Sequence, residues 1–225
     1  MKGRFSCLCA DLPGHGASRI EKPCTPENVF DALGALLDEH HINRCTLIGY
    51  SMGGRVALGM AAVAPDRIER LVIESASPGI QTDGDRLARR QADASWIALL
   101  DAGDMEVFLK QWYAQPIFET VHRDPIRLQE LLRRRMRQDP RQLALGLRSM
   151  GAGVWPPACD EWPSLRIPAL LIAGRRDARY ATLAEKMAAQ NPRAQVRIVP
   201  GCGHNVHWED PTSYTAAVQR FLMDL

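Results

Sequence analysis

Apolar and polar positions along this chain fall into two regimes. As far as Pro78, short apolar runs alternate with longer helical patterns: Phe5–Ala10, a helix from about Pro26 to His41, Cys45–Gly49, a helix from Arg55 to Ala64, and then Arg70–Ser75. Short apolar runs that alternate with helices read as buried strands of a parallel sheet with helices on both faces. From Gly79 to Gly151 the strand signals vanish. Helical periodicity rich in arginine replaces them, punctuated by Pro116 and Pro140. The first pattern resumes at Ile167, with strands predicted at Pro168–Gly174 and Val196–Val199. A helical cap inserted between sheet strands accounts for this order. The predicted organisation is an α/β core over residues 1–78, a cap over 79–155, and the rest of the core over 156–225. Trp155-Pro156-Pro157 and Trp162-Pro163 read as the return linker, and no internal repeat is visible.

The chemistry concentrates where the third apolar run ends. Gly49-Tyr50-Ser51-Met52-Gly53 is a G-x-S-x-G elbow in a strand–turn–helix context. Gly49 and Gly53 lack a Cβ, so the chain is expected to turn sharply there and the helix to pack close to the strand. Such a turn lifts the Ser51 hydroxyl above the sheet edge. It also aims the Met52 N–H, at a helix N-terminus, at an oxyanion formed nearby. A serine between glycines can also be a plain turn. The flanking strand and helix favour the nucleophile.

An activated serine needs a base, and the base needs an orienting carboxylate. Asp177 follows the strand ending at Gly174, and His204 lies in the Gly-rich loop Pro200-Gly201-Cys202-Gly203 after the next strand. Singly, Asp177 could cap the helix that starts near Ala181, and His204 could be an idle loop histidine. Their chain order after Ser51, each past a strand end, points to a Ser51–His204–Asp177 triad. His207, near the start of the last helix, reads as a packing or substrate residue, and His15 as a turn residue.

Composition narrows the classes. With 225 residues, 46% of them hydrophobic, the chain can bury a sizeable core. A net charge of +2 gives no global pull toward nucleic acid. The run Arg133-Arg134-Arg135-Met136-Arg137 is interspersed with acidic neighbours and reads as a solvated helix face. The six cysteines form no regular framework. Cys7, Cys9 and Cys45, in apolar runs, read as buried small hydrophobes, which suits a reducing cytoplasm. No signal peptide and no apolar run near ~18 residues is present, so no membrane is expected. No cluster has metal-ligand spacing and no phosphate loop occurs, so neither a metal nor a cofactor is expected.

The elbow, the triad order and Asp11-Leu12-Pro13-Gly14-His15-Gly16-Ala17-Ser18 resemble the α/β-hydrolase superfamily over nearly the whole chain. More specific segments are Arg55 one turn past the serine, Ser77-Pro78-Gly79-Ile80, Trp112-Tyr113-Ala114-Gln115-Pro116 and His204-Asn205-Val206-His207. These are similar to a branch of lyases that eliminate pyruvate from a cyclohexene dicarboxylate bearing an enolpyruvyl group. The resemblance implies that Ser51, activated by His204 and Asp177, abstracts a proton instead of attacking a carbonyl. It implies that Arg55 and Arg89 bind substrate carboxylates, with Tyr50 and Trp112 lining the site. Guanidinium forks suit such a small polyanionic substrate. Arg89 could instead be a surface-helix residue, and Trp112 part of the cap core.

The family pattern also carries a His-Gly-x segment upstream of the Asp11 turn. Here the chain begins Met1-Lys2-Gly3-Arg4 and is expected to enter a strand at Phe5, with the first strands and that loop missing. Two rivals to the lyase remain: a serine carboxylic-ester hydrolase of the same fold, and an inactive truncated fragment. The oligomeric state is not legible.

Overall fold

In a computed structural model the chain is described over residues 5–223, which divide into two compact units. The first comprises residues 5–10, 44–78 and 160–223; the second, residues 11–43 and 79–159.

The first unit is built on four parallel strands in the order β1 (Cys45–Tyr50), β2 (Ile68–Glu74), β3 (Ala169–Gly174) and β4 (Ala194–Val199). The two central strands are almost wholly buried, which is why their sequences read as continuous apolar runs. Successive side chains still face opposite sides. Val72, Leu170 and Ile172 pack with Val199, Val206, Val218 and Phe221, the last two from the closing helix α9 (Pro211–Met223). Ile73 points the other way, toward α2 (Met52–Val63). Helix α7 (Ala178–Gln190) crosses from β3 to β4, and a short α8 (Val206–Glu209) precedes α9.

The run from Phe5 to Ala10 forms no strand. A strand exists only through a ladder partner, and among the described residues none pairs with these. Phe5 and Leu8 stand 36% and 43% exposed, and Cys7 and Cys9 are exposed instead of buried. Cys45, within β1, is half-buried. Trp162, expected in a linker, is a buried anchor: its indole N–H donates to the Met187 carbonyl at 2.9 Å. Asn191, also buried, donates to the Trp162 carbonyl at 2.7 Å.

The second unit is helical: α1 (Pro26–Glu39), α3 (Asp83–Asp101), α4 (Met105–Tyr113), α5 (Pro125–Arg135) and α6 (Pro140–Met150). Each begins at Thr25, Thr82, Asp104, Asp124 or Asp139, whose side chain accepts a first-turn N–H. Such caps contribute about 0.5–2 kcal/mol apiece. The Asp11–Ser18 turn lies against α6: Gln138 Oε1 accepts the Gly16 N–H, and Gln142 Oε1 accepts the Ile20 N–H. His15 Nδ1–H donates to the Pro13 carbonyl at 3.1 Å, and burial lowers the pKa of the ring. The arginine run ends α5, where Glu130 takes Arg133 with both oxygens and Arg134 as well. Those bonds hold Glu130 down at about 2.

Candidate active site

The elbow follows from two close approaches. A Cβ on Gly49 would stand 2.4 Å from the Gly53 carbonyl oxygen and 2.7 Å from the Gly54 Cα. A Cβ on Gly54 would stand 2.5 Å from the Ala76 Cβ. Gly53, expected to share this role, has open space where its Cβ would be. The close packing of α2 onto the strands therefore rests on Gly49 and Gly54. Ser51 takes the bend, with φ 50° and ψ −110°, a conformation that costs a non-glycine residue about 1–3 kcal/mol. Its N–H donates to the Glu74 carbonyl at 2.9 Å, and its carbonyl accepts the Arg55 N–H at 3.2 Å.

The structure brings Ser51, Asp177 and His204 together. Asp177 lies just past β3 and uses both oxygens. Oδ1 accepts the Tyr180 N–H at 3.2 Å and caps α7, while Oδ2 accepts from His204 Nδ1 at 2.7 Å. The helix-cap reading and the triad reading of Asp177 are thus both realised in one carboxylate. An ionised carboxylate only accepts, so Nδ1 carries the proton and Nε2 faces the Ser51 hydroxyl at 3.1 Å. His204 and Asp177 are 3% and 9% exposed. This hydrogen-bond chain can take the Ser51 proton onto His204 and stabilise the resulting imidazolium.

The histidine loop is pinned by acids. Glu209 accepts the Gly203 N–H at 2.8 Å and the Asn205 N–H at 3.1 Å, one on each side of His204. The Tyr50 hydroxyl bonds to Asn205 Oδ1, and its ring packs edge-on against both His204 (5.3 Å) and His207 (4.8 Å). His207 was expected near the start of the last helix and lies instead in the short α8 that precedes it; its partner was not foreseen. Glu74, at the end of β2 and fully buried, accepts the His207 N–H at 3.0 Å and its Nδ1 at 2.8 Å. The signal for Glu74 was a lone carboxylate closing an apolar strand. Cys202, beside the same loop, is buried, and desolvation with help from Glu209, Asp210 and Glu74 pushes its thiol up to about 11.

Met52 opens α2, where first-turn N–H groups lack intrahelical partners. Arg55 sits on the next turn, half-buried. Arg89 and Trp112 belong to the helical unit. Arg89 Nε donates to the buried Asp93 at 2.8 Å. Trp112 packs with Trp96 (5.1 Å), Phe108 (5.5 Å) and Phe118 (6.1 Å). Among the described residues no group of three or more His, Cys, Asp or Glu could hold a metal ion, and no helix is long and apolar enough to cross a membrane.

A serine, histidine and aspartate hydrogen-bonded in series past the ends of parallel strands, the serine on a strained elbow, define the α/β-hydrolase class. The model of the alpha/beta hydrolase family matches residues 1–218, and the chain belongs to that family. Its relatives narrow the class. A protein of Bacillus subtilis (strain 168), provisionally named 2-succinyl-6-hydroxy-2,4-cyclohexadiene-1-carboxylate synthase, is 31% identical over 220 residues, covering 96% of this chain and 80% of the relative. The synthase of that name from Escherichia coli O1:K1 / APEC is 29% identical over 218 residues, covering 97% and 84%. Among solved structures, MenH from S. aureus matches with a TM-score of 0.89 at 33% identity, covering 94% of this chain and 81% of that one. A thermophilic esterase from Thermogutta terrifontis matches at 0.79 and 24% identity, covering 94% and 77%, a likeness of fold alone.

Proposed function

We propose that this chain is a lyase of menaquinone biosynthesis, a 2-succinyl-6-hydroxy-2,4-cyclohexadiene-1-carboxylate synthase. It would eliminate pyruvate from 2-succinyl-5-enolpyruvyl-6-hydroxy-3-cyclohexene-1-carboxylate. The observation that carries this reading is the similarity to proteins of that name, which runs over 94–97% of this chain. The Ser51–His204–Asp177 geometry supports it.

In this reading Ser51 passes its proton to His204 and acts as a base through Oγ. It takes the C2–H proton; that pair forms the C2=C3 bond, the C3=C4 pair shifts to C4=C5, and the C5–O bond to the enolpyruvyl group breaks. The departing enolpyruvate takes up a proton and tautomerises to pyruvate. Charge develops on the substrate oxygen during this step, and the reading assigns the Met52 N–H, at the head of α2, to meet it. A substrate with several carboxylates needs cations when desolvated, and Arg55, one turn from Ser51, supplies a two-pronged one. Arg89 and Trp112 are proposed as further substrate residues on the resemblance alone. The partner is a small polyanion; no nucleic acid, membrane or cofactor enters the reaction, which we place in the cytoplasm.

A covalent serine hydrolase would use the same three side chains. The test compares kcat/KM for the enolpyruvyl substrate, read as pyruvate release, with that for neutral p-nitrophenyl esters. The lyase reading expects the polyanion to be preferred by at least ~10²-fold. Efficient ester turnover without pyruvate release would reject it.

A further inference from the structure

The elbow that carries Ser51 and the loop that carries His204 lie far apart in sequence, yet one buried residue is bonded to both, by main chain to the first and by side chain to the second. Glu74 ends β2. Its main-chain carbonyl accepts the Ser51 N–H at 2.9 Å. Its carboxylate accepts the His207 N–H at 3.0 Å and His207 Nδ1 at 2.9 and 2.8 Å through its two oxygens. His207 lies three residues beyond His204, in α8. Glu74 has no exposed surface, and the His207 side chain keeps about a third of its own, 37%.

A carboxylate with no exposure is retained only where its hydrogen bonds offset its desolvation. Here those bonds go to one residue of the histidine loop, by main chain and side chain together. The N–H of the serine turn is tied to the backbone of the same glutamate. Tyr50 adds a second tie in the same direction: it immediately precedes Ser51, its hydroxyl bonds to Asn205, and its ring packs against His204 and His207. Glu209 ties the loop to itself, accepting the Gly203 and Asn205 N–H groups.

We propose that Glu74, acting through His207, is a positioning residue that sets the separation between Ser51 Oγ and His204 Nε2. Its carboxylate bonds to His207 and touches neither the reacting atoms nor the side chains of Ser51, His204 and Asp177. Proton transfer from serine to histidine needs their 3.1 Å contact, so a loosened brace lowers the reactivity of the serine without altering what binds. The inference rests on the triad reading but not on the identity of the substrate.

The test uses a fluorophosphonate, which phosphonylates an activated serine: the P–F bond breaks, an O–P bond forms at Ser51, and the serine proton leaves by way of His204. The maximal inactivation rate and the half-saturating probe concentration are read separately, on protein shown by circular dichroism to be folded. Glu74→Ala is expected to lower the maximal rate at least ~10-fold at an unchanged half-saturating concentration. Glu74→Gln keeps the shape and one acceptor, and is expected to lose only ~2- to 5-fold. If Glu74→Ala does not fold, the Gln variant decides. A wild-type maximal rate in the folded variants overturns the proposal, whatever happens to their melting temperatures. A wild-type protein inert to the probe overturns it together with the triad. Pyruvate release from the enolpyruvyl substrate is measured in parallel. Its absence from a wild-type protein that reacts normally with the probe would reject the lyase reading and leave the Glu74 result standing.

Discussion

Replacing Gly49 with alanine tests how the serine is held. The added methyl would stand 2.4 Å from the Gly53 carbonyl oxygen, 2.6 Å from its carbon and 2.7 Å from the Gly54 Cα. All three are backbone atoms, so no rotamer change relieves the contact. Reaching ordinary contact at about 3.4 Å requires α2 to move off β1 by roughly 1 Å. Overpacking of that kind costs about 1–3 kcal/mol. In a chain of this size that corresponds to a fall in Tm of about 2–12 °C. The same displacement moves Ser51 relative to His204, and a 1 Å misplacement at a reacting group costs about 10²-fold in rate. Gly53→Ala is the control: nothing lies within 4 Å of its added Cβ, and α2 gains up to about 1 kcal/mol of helix preference. Thermal melts monitored by circular dichroism, with fluorophosphonate labelling of Ser51 on the same samples, read both effects. Gly49→Ala melting with the wild type, or Gly53→Ala losing as much stability as Gly49→Ala, would show that Gly49 does not set the approach of α2 to β1.

Other expectations follow from particular contacts. Arg55→Ala should weaken transition-state binding of the polyanion by about 2–5 kcal/mol in kcat/KM, and Arg55→Lys should restore only part, because an ammonium cannot reproduce the fork; unchanged kcat/KM would remove Arg55 from substrate binding. Mass spectrometry during turnover should find no acyl adduct on Ser51, and a trapped pyruvyl or succinyl ester would favour the hydrolase. Iodoacetamide at pH 8 should label the exposed Cys7 and Cys9 well before the buried Cys202, whose thiol is held near 11. Because that pKa is raised in the fold, its contribution to stability is full below the ordinary thiol value near ~8.5 and is lost as pH rises toward 11, which urea titrations of wild type and Cys202→Ala would detect. Burial lowers the pKa of His15, so its contribution is present above the unfolded value near ~6.5 and lost as pH falls through the folded one; His15→Gln should flatten that acid limb.

The strands from Cys45 onward were legible because a buried parallel strand must be apolar along its whole length, as Leu71–Ile73 and Leu170–Ala173 are. Phe5–Ala10 carries the same apolar signal and forms no strand, since pairing is a property of neighbours and not of a segment. The triad was legible for a related reason: a serine elbow, an aspartate and a histidine each follow a strand, and parallel topology carries those ends to one edge. Gly54 was missed in favour of Gly53 because close approach depends on which face of α2 meets Ala76, and the motif alone does not say. Glu74 was passed over because a carboxylate at a strand end looks like the beginning of a loop. Only the fold shows it buried against His207, 133 residues away in sequence.

In the proposed reaction Ser51, through His204 and Asp177, removes a proton from a polycarboxylate, and pyruvate is released. That role of Ser51 is tested most directly by following pyruvate release from the enolpyruvyl substrate in stopped flow, comparing wild type with Ser51→Ala under single-turnover conditions. The expected result is rapid release of one pyruvate per site by the wild type and a loss of at least ~10²-fold in the variant, the scale for a positioned proton-transfer group. Release at the wild-type rate by Ser51→Ala would exclude Ser51 as the base.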